Sequence, residues 1–171
     1  LTGSSGNDII AAGAGTVTID GAGGADILYA GAGDDTFVFG AGYGQATIVG
    51  APGIAHNNVL SLGAGIAAGD IEVARADDGS NVELRLLDTG GRVLLANFFD
   101  PSGDQPIQSL HFADGSSWSA ADMLEKSYQG GETSKYIAAN ASHESVAGGN
   151  GNDTIIGDEA QDTLAGGAGQ N

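Results

Sequence analysis

Residues 148–156 read GGNGNDTII, and the rhythm of those nine residues runs outward from them in both directions. In steps of nine from Gly130 the chain reads GGETSKYIA, ANASHESVA, GGNGNDTII, GDEAQDTLA and a broken GGAGQN. In steps of nine from Gly3 it reads GSSGNDIIA, AGAGTVTID, GAGGADILY, AGAGDDTFV and FGAGYGQAT. Small residues fill the first, second and fourth columns. Asp recurs in the sixth, as Asp8, Asp26, Asp35, Asp153 and Asp162. A large apolar residue recurs in the eighth, as Ile10, Ile19, Leu28, Phe37, Ile137, Val146, Ile155 and Leu164. A single G-x-G-x-D would read as an ordinary solvated loop. In-phase units with separate acidic and apolar columns read instead as a stacked repeat, because each unit buries too little by itself.

These strings resemble the G-G-x-G-x-D-x-U-x nonapeptide of the repeats-in-toxin (RTX, hemolysin-type calcium-binding) family, and GGNGNDTII matches at every defined position. The resemblance implies an all-β fold, a parallel β-roll. Six residues turn, three make a short strand, and two nonapeptides complete a coil. Glycine suits such a turn, which needs positive φ and close backbone approach. The resemblance also implies Ca2+, which takes six to eight oxygens and accepts backbone carbonyls readily. In the family an ion lies between turns eighteen residues apart. The first turn gives the carbonyls of columns two and four, the later turn those of columns one and three, and both give Asp.

Carried over residue by residue, the best amino-terminal site uses Asp8 and Asp26 with the carbonyls of Ser4, Gly6, Gly21 and Gly23. On the opposite edge Val17 faces Asp35, with carbonyls from Gly13, Gly15, Ala30 and Ala32, so one carboxylate is lost and binding should be weaker. The next site pairs Asp26 with Gly44, with Ala22 and Gly24 as carbonyl donors, and should be weaker again. FGAGYGQAT resembles the family's usual array ending, with Ala46 where Asp is common. In the second array Asp153 faces Asn171, with Gly149 and Gly151 as donors, and Glu144 faces Asp162, with Gly157 and Glu159. Lys135 stands in a sixth column opposite Asp153, so that edge is expected to be metal-free.

Composition agrees with a missing cation. The chain carries 22 acidic and 5 basic residues, a formal charge of −17, yet 41% of it is hydrophobic, unlike a disordered acidic tail. Nucleic acid and anionic membrane surfaces are expected to be poor partners, since phosphate binding needs clustered Lys and Arg. With no cysteine, disulfides, zinc thiolates and cysteine nucleophiles are excluded, and metal is the remaining staple. No apolar run approaches the ~18 residues of a membrane span. The start carries no signal peptide and Asn171 falls in mid-repeat, so the sequence is expected to be an internal piece of a longer chain, and a monomer.

Glycine divides the chain into a roll over residues 1–50, a segment over 51–129 and a second, truncated roll over 130–171. The middle segment predicts strands at Asn58–Leu62, Asp70–Ala76, Asn81–Leu87, Arg92–Phe99 and Ile107–Phe112, separated by Asp-Gly and Gly-Gly turns. Ser119 predicts an N-cap before one short helix, AADMLEKSY. VLLANFF and IQSLHFADGSSWSAADM resemble the haemolysin-type calcium-binding-related region that follows many such rolls, which implies a small antiparallel capping and linking segment without catalytic residues. His56, His111 and His143 lack zinc spacing. Ser142-His143-Glu144 is contiguous, whereas a triad converges from separate elements. Thr16-Val17-Thr18 occurs once, so it makes no ice-binding face, and Asp100-Pro101, an acid-labile bond type, reads as a turn. The resemblance implies a secreted bacterial protein, exported by type I secretion machinery and folding on calcium outside the cell. An extracellular adhesive or carbohydrate-binding module, with Trp118, Phe98 and Phe99 as contacts, is the competing reading. So is the non-catalytic part of a secreted toxin or hydrolase.

Overall fold

The glycine-rich half of each nonapeptide turns, and its apolar half runs straight for a few residues. The computed structural model describes residues 1–53, 56–76, 78–100, 105–131, 135–139, 145–159 and 161–171. The first array forms β1 (Ile9–Ala11), β2 (Thr18–Asp20), β3 (Gly24–Tyr29), β4 (Thr36–Phe39) and β5 (Gly44–Val49). These alternate between two parallel ladders. β1, β3 and β5 lie side by side, with Ile10 opposite Leu28 and Leu28 opposite Ile48. β2 and β4 form the other ladder, with Ile19 opposite Phe37. Side chains alternate across a strand, so the eighth column points between the ladders, where Ile19, Leu28 and Phe37 are buried.

The fifth unit departs from strict phase. Asp26 lies opposite Ala46 and Gly24 opposite Gly44, so the expected pairing of Asp26 with Gly44 is incorrect. The added length sits in the turn before β5, where the Tyr43 N–H donates to the Gly40 carbonyl (3.2 Å) and Gly42 has φ +82°. The shift lets Ile48, a larger side chain than Ala46, stack on Leu28.

The two sheets continue past residue 50. β6 (Val59–Leu62) pairs in parallel with β4, and β10 (Ser109–His111) with β6. β9 (Arg92–Leu95) pairs in parallel with β5. Four coils result, β1–β2, β3–β4, β5–β6 and β9–β10. Antiparallel pairing, expected throughout the middle segment, is confined to β7 (Ile71–Arg75) and β8 (Val82–Leu86) beside β9, and to β11 (Ser117–Ser119) on β10. The reason is apolar register: Leu110 stacks on Leu60, and Val93 and Leu95 on Ala46 and Ile48. The hairpin is thus an insertion in the last coil.

Helix α1 (Ala120–Ser127) begins where Ser119 caps it. Asp122 N–H donates to Ser119 Oγ (3.2 Å), while Ser119 N–H and Oγ both donate to Asp122 Oδ2 (2.7 Å each). Those bonds hold the Asp122 carboxyl below the usual carboxylate range. The second roll follows as β12 (Gln129–Gly131), β13 (Tyr136–Ala138), β14 (Ser145–Gly149), β15 (Thr154–Ile156) and β16 (Thr163–Ala165). Here too the ladders are parallel, β12–β14–β16 and β13–β15, with Val146 opposite Leu164 and Ile137 opposite Ile155. No helix among the described residues is long and apolar enough to cross a membrane.

Candidate metal centre

Sixth-column residues meet across stacked turns through one repeated bond. The N–H of Asp8 donates to Asp26 Oδ1 (3.0 Å), Val17 to Asp35 Oδ1 (3.1 Å), Lys135 to Asp153 Oδ1 (2.9 Å) and Asp153 to Asn171 Oδ1 (2.8 Å). Each rung spans 18 residues. Three sixth-column carboxylates also turn back on their own loops. Asp8 Oδ2 accepts from Ser4 N–H (2.7 Å) and Oγ (2.9 Å), Asp35 Oδ2 from Gly31 N–H (2.8 Å) and Asp162 Oδ2 from Asp158 N–H (3.1 Å). A short acidic side chain at the end of a tight turn can reach its own backbone in this way.

Carbonyls converge on the same edges. The second-column carbonyl accepts from the third-column N–H of the next stacked turn: Gly23 to Ser4 (3.2 Å), Ala32 to Gly13 (3.2 Å) and Ala168 to Gly149 (2.7 Å). The backbones then lie too close for side chains. A Cβ on Gly31 would sit 1.8 Å from the Gly13 oxygen, and one on Gly24 2.6 Å from that of Gly6. Ser4, Gly6, Gly21 and Gly23 are thereby gathered with Asp8 and Asp26 on one edge, and Gly13, Gly15, Ala30 and Ala32 with Asp35 on the other. Ala22 and Gly24 face the lengthened turn, with the Gly24 N–H donating to Tyr43 O (3.0 Å). Gly149 and Gly151 face Gly167 and Gly169, and Gly157 lies beside Asp162. Glu159 is exposed. Glu144 and His143 lie outside the described residues, as does Pro101.

Two residues escaped the sequence reading. The Val17–Asp35 edge continues as Asp35 N–H donating to Asn58 Oδ1 (2.8 Å) and Asn58 N–H to Gln108 Oε1 (2.6 Å). These steps are 23 and 50 residues, which a nine-residue phase conceals. A signal was present: Asp34-Asp35-Thr36-Phe37 aligns with Asn57-Asn58-Val59-Leu60, and Asn57 N–H donates to Asp34 Oδ1 (2.8 Å). The edge therefore changes from carboxylate to neutral amide as it enters the middle segment. The other candidates are accounted for by packing. His111 is exposed beside Ser109, Phe98 is buried, and the half-buried Trp118 packs edge-on against Phe112 (4.9 Å) beneath Lys126 Nζ (4.5 Å).

The donors fit a hard cation. No three His, Cys, Asp or Glu side chains cluster among the described residues, so a cation here must draw on backbone oxygens, as calcium does. One buried oxygen is left over. Asp153 is 4% exposed, and its Oδ2 has no hydrogen-bond partner. An unpaired buried carboxylate oxygen is costly, and a cation held with the Gly149 and Gly151 carbonyls would satisfy it.

The family model described as RTX calcium-binding nonapeptide repeat (4 copies) matches residues 2–45 and 139–171. That of the haemolysin-type calcium binding protein related domain matches residues 81–122. No curated protein matches the chain. Among solved structures, the extracellular lipase LipA from Serratia marcescens is similar at 24% identity, with a TM-score of 0.32, over 96% of this chain and 25% of that one. This chain thus spans about a quarter of the lipase's length. It belongs to the RTX calcium-binding repeat proteins, with a haemolysin-type calcium-binding-related domain between its two arrays.

Proposed function

We propose that the chain is a non-catalytic calcium-binding module that folds on calcium outside a bacterial cell after type I secretion. RTX repeats occur in secreted bacterial proteins. The observation that carries the reading is the buried, partnerless Asp153 Oδ2 at the start of the Asp153–Asn171 rung. The proposed ligands are Asp8 and Asp26 with their four carbonyls, Asp35 with the turns at Gly13 and Ala30, Asp153 with Gly149 and Gly151, and Asp162 with Gly157 and Glu159. Charge supports a trigger. At −17 the apo chain repels itself, and an ion that binds only the folded state shifts the equilibrium by mass action. In calcium-poor cytosol the repeats stay open for export; outside, they close.

The test is a calcium titration of the apo chain followed by far-UV circular dichroism. A gain in β signal is expected with a midpoint of ~10⁻⁴–10⁻³ M, the usual range of extracellular calcium modules. The gain is partial, because the apolar cluster from Ile19 to Met123 does not depend on the turns alone. Magnesium at equal concentration is expected not to substitute, since it demands an octahedral shell at about 2.0–2.1 Å and releases water reluctantly. Identical spectra in calcium and in EDTA would remove the reading.

A further inference from the structure

All five basic residues of the chain lie between Arg75 and Lys135, and Lys135 alone falls within a repeat array. Its backbone keeps the ordinary sixth-column place, with its N–H on Asp153 Oδ1 at 2.9 Å. Its side chain is 3% exposed and reaches β7. There Nζ lies 2.9 Å from Glu72 Oε1 and donates to the carbonyls of Val73 (3.3 Å) and Gln129 (3.2 Å). An ammonium has three N–H donors and no acceptor, so three oxygens saturate it. One carboxylate and two carbonyls are also the oxygen types that calcium takes. Arg75 Nη1 makes a second tie across the same seam, donating to the Ala138 carbonyl at 2.9 Å.

We propose that Lys135 Nζ is a tethered cation that takes the place of calcium where the second roll joins β7, so that this rung closes without metal. The proposal rests on the calcium reading for the remaining rungs and names the one exempt from it. The second roll then begins on a surface that is complete before any ion arrives. Its metal-dependent turns stack outward from that surface, toward β16.

Hydrogen exchange on the full chain, in calcium and in EDTA, tests this. In EDTA the amides of β13 and β15, which pair with each other beside the Lys135–Asp153 rung, are expected to stay protected while those of β16 lose protection. Lys135→Met keeps the length and removes the charge. It removes the shorter ion pair of Glu72, whose side chain is 10% exposed and keeps Arg85 at 3.9 Å, and should speed exchange at β13 and β15 by about tenfold or more, equally with and without calcium. The amides of β3 and β5 serve as the folding control and should not change. Lys135→Asp should make the seam calcium-dependent, with one more ion bound per chain. The proposal is overturned if the wild-type β13–β15 pair opens in EDTA together with β16, if Lys135→Met leaves that pair unchanged, or if calcium fails to restore the pair in Lys135→Asp while it protects β16. Failure of the calcium reading looks different: no amide responds to calcium anywhere, and the Lys135→Met arm then decides the role of Lys135 by itself.

Discussion

In the first roll the eighth-column side chains Ile19, Leu28 and Phe37 merge with an apolar cluster that runs through β6, β9 and β10 to Met123 of α1. In the second roll the buried apolar side chains are Ile137 and Val146, with Tyr128 at the end of α1 against them, and the column frays outward until Leu164 is 47% exposed. Yet GGNGNDTII, the string that fits the repeat best, belongs to the second roll. Repeat quality and burial run in opposite directions, for a physical reason. A nonapeptide brings one large apolar side chain inward, which contributes about 1.5–3 kcal/mol when fully buried. Ordering nine backbone residues costs roughly 1–2 kcal/mol each. The first roll meets the shortfall with inserted strands and a shared core. The second has chiefly its turns, where the proposed ions would bind.

The largest expected effect separates the two rolls directly. Chelation should unfold β16 while leaving β4, β6 and β10 protected, since each ion at 100 times its dissociation constant contributes about 2.7 kcal/mol. Limited proteolysis in EDTA should therefore cut within residues 157–171 and spare the first roll. Simultaneous loss of both rolls would break the comparison.

Core substitutions should follow in size. Phe37→Ala removes a fully buried ring and is expected to cost about 3–5 kcal/mol in urea unfolding with calcium present. Leu164→Ala, at a half-exposed position in the same column, should cost less than about 1 kcal/mol. Equal costs would mean that the exposed end of the second roll is buried in solution.

The columns were legible because a stacked repeat forces one side chain per turn inward, and its period survives in the sequence. Within the middle segment the strand at Val82–Leu86 and the helix after Ser119 were also legible, from Asp-Gly turns and a capping serine. Partnership was not. Alternation at Arg92–Leu95 says strand, but nothing local says that its neighbour is β5 rather than a cap of its own. Asn58 and Gln108 were hidden for the same reason, since insertions moved them out of phase while their backbone bonds kept the edge. The lengthened turn at Gly40–Tyr43 hid the shift of Asp26 onto Ala46. Insertions change sequence distance without changing spatial step, and periodicity reads only the former.

Carboxylates should also divide the rolls. Both oxygens of Asp35 accept backbone N–H groups, from Val17 and Gly31, whereas Asp153 Oδ2 accepts none. Asp35→Ala strands those donors and should cost about 1–3 kcal/mol even in EDTA. Asp153→Ala strands only the Lys135 N–H, so it should cost less than Asp35→Ala in EDTA, and it should lower the number of calcium ions bound, read by isothermal titration. If both variants remove the same ion, the eighteen-residue rungs do not define separate sites.

The smallest effect lies in a second-column backbone angle that the two rolls solve differently. Ala22 has φ 62°, whereas Gly149 and Gly167 occupy the same column of the second roll at φ 86° and 77°. A left-handed conformation costs an L-residue roughly 1–2 kcal/mol because its Cβ crowds the following carbonyl. Glycine escapes that cost but loses more chain freedom on folding, about 0.5–1 kcal/mol relative to alanine. The difference favours glycine, so Ala22→Gly should stabilise the first roll by about 0.5–1 kcal/mol, while Gly149→Ala should destabilise the second by about 1 kcal/mol or more. The Ala22 N–H already donates to Asp20 Oδ1 at 2.9 Å, and that bond survives loss of the methyl group. Thermal melts in saturating calcium compare the pair. Destabilisation by Ala22→Gly would show that the methyl group's packing outweighs its strain. The first roll would then tolerate a poorer repeat because its core compensates for each departure, which the second roll, with Ile137 and Val146 as the buried apolar side chains of its described residues, cannot do.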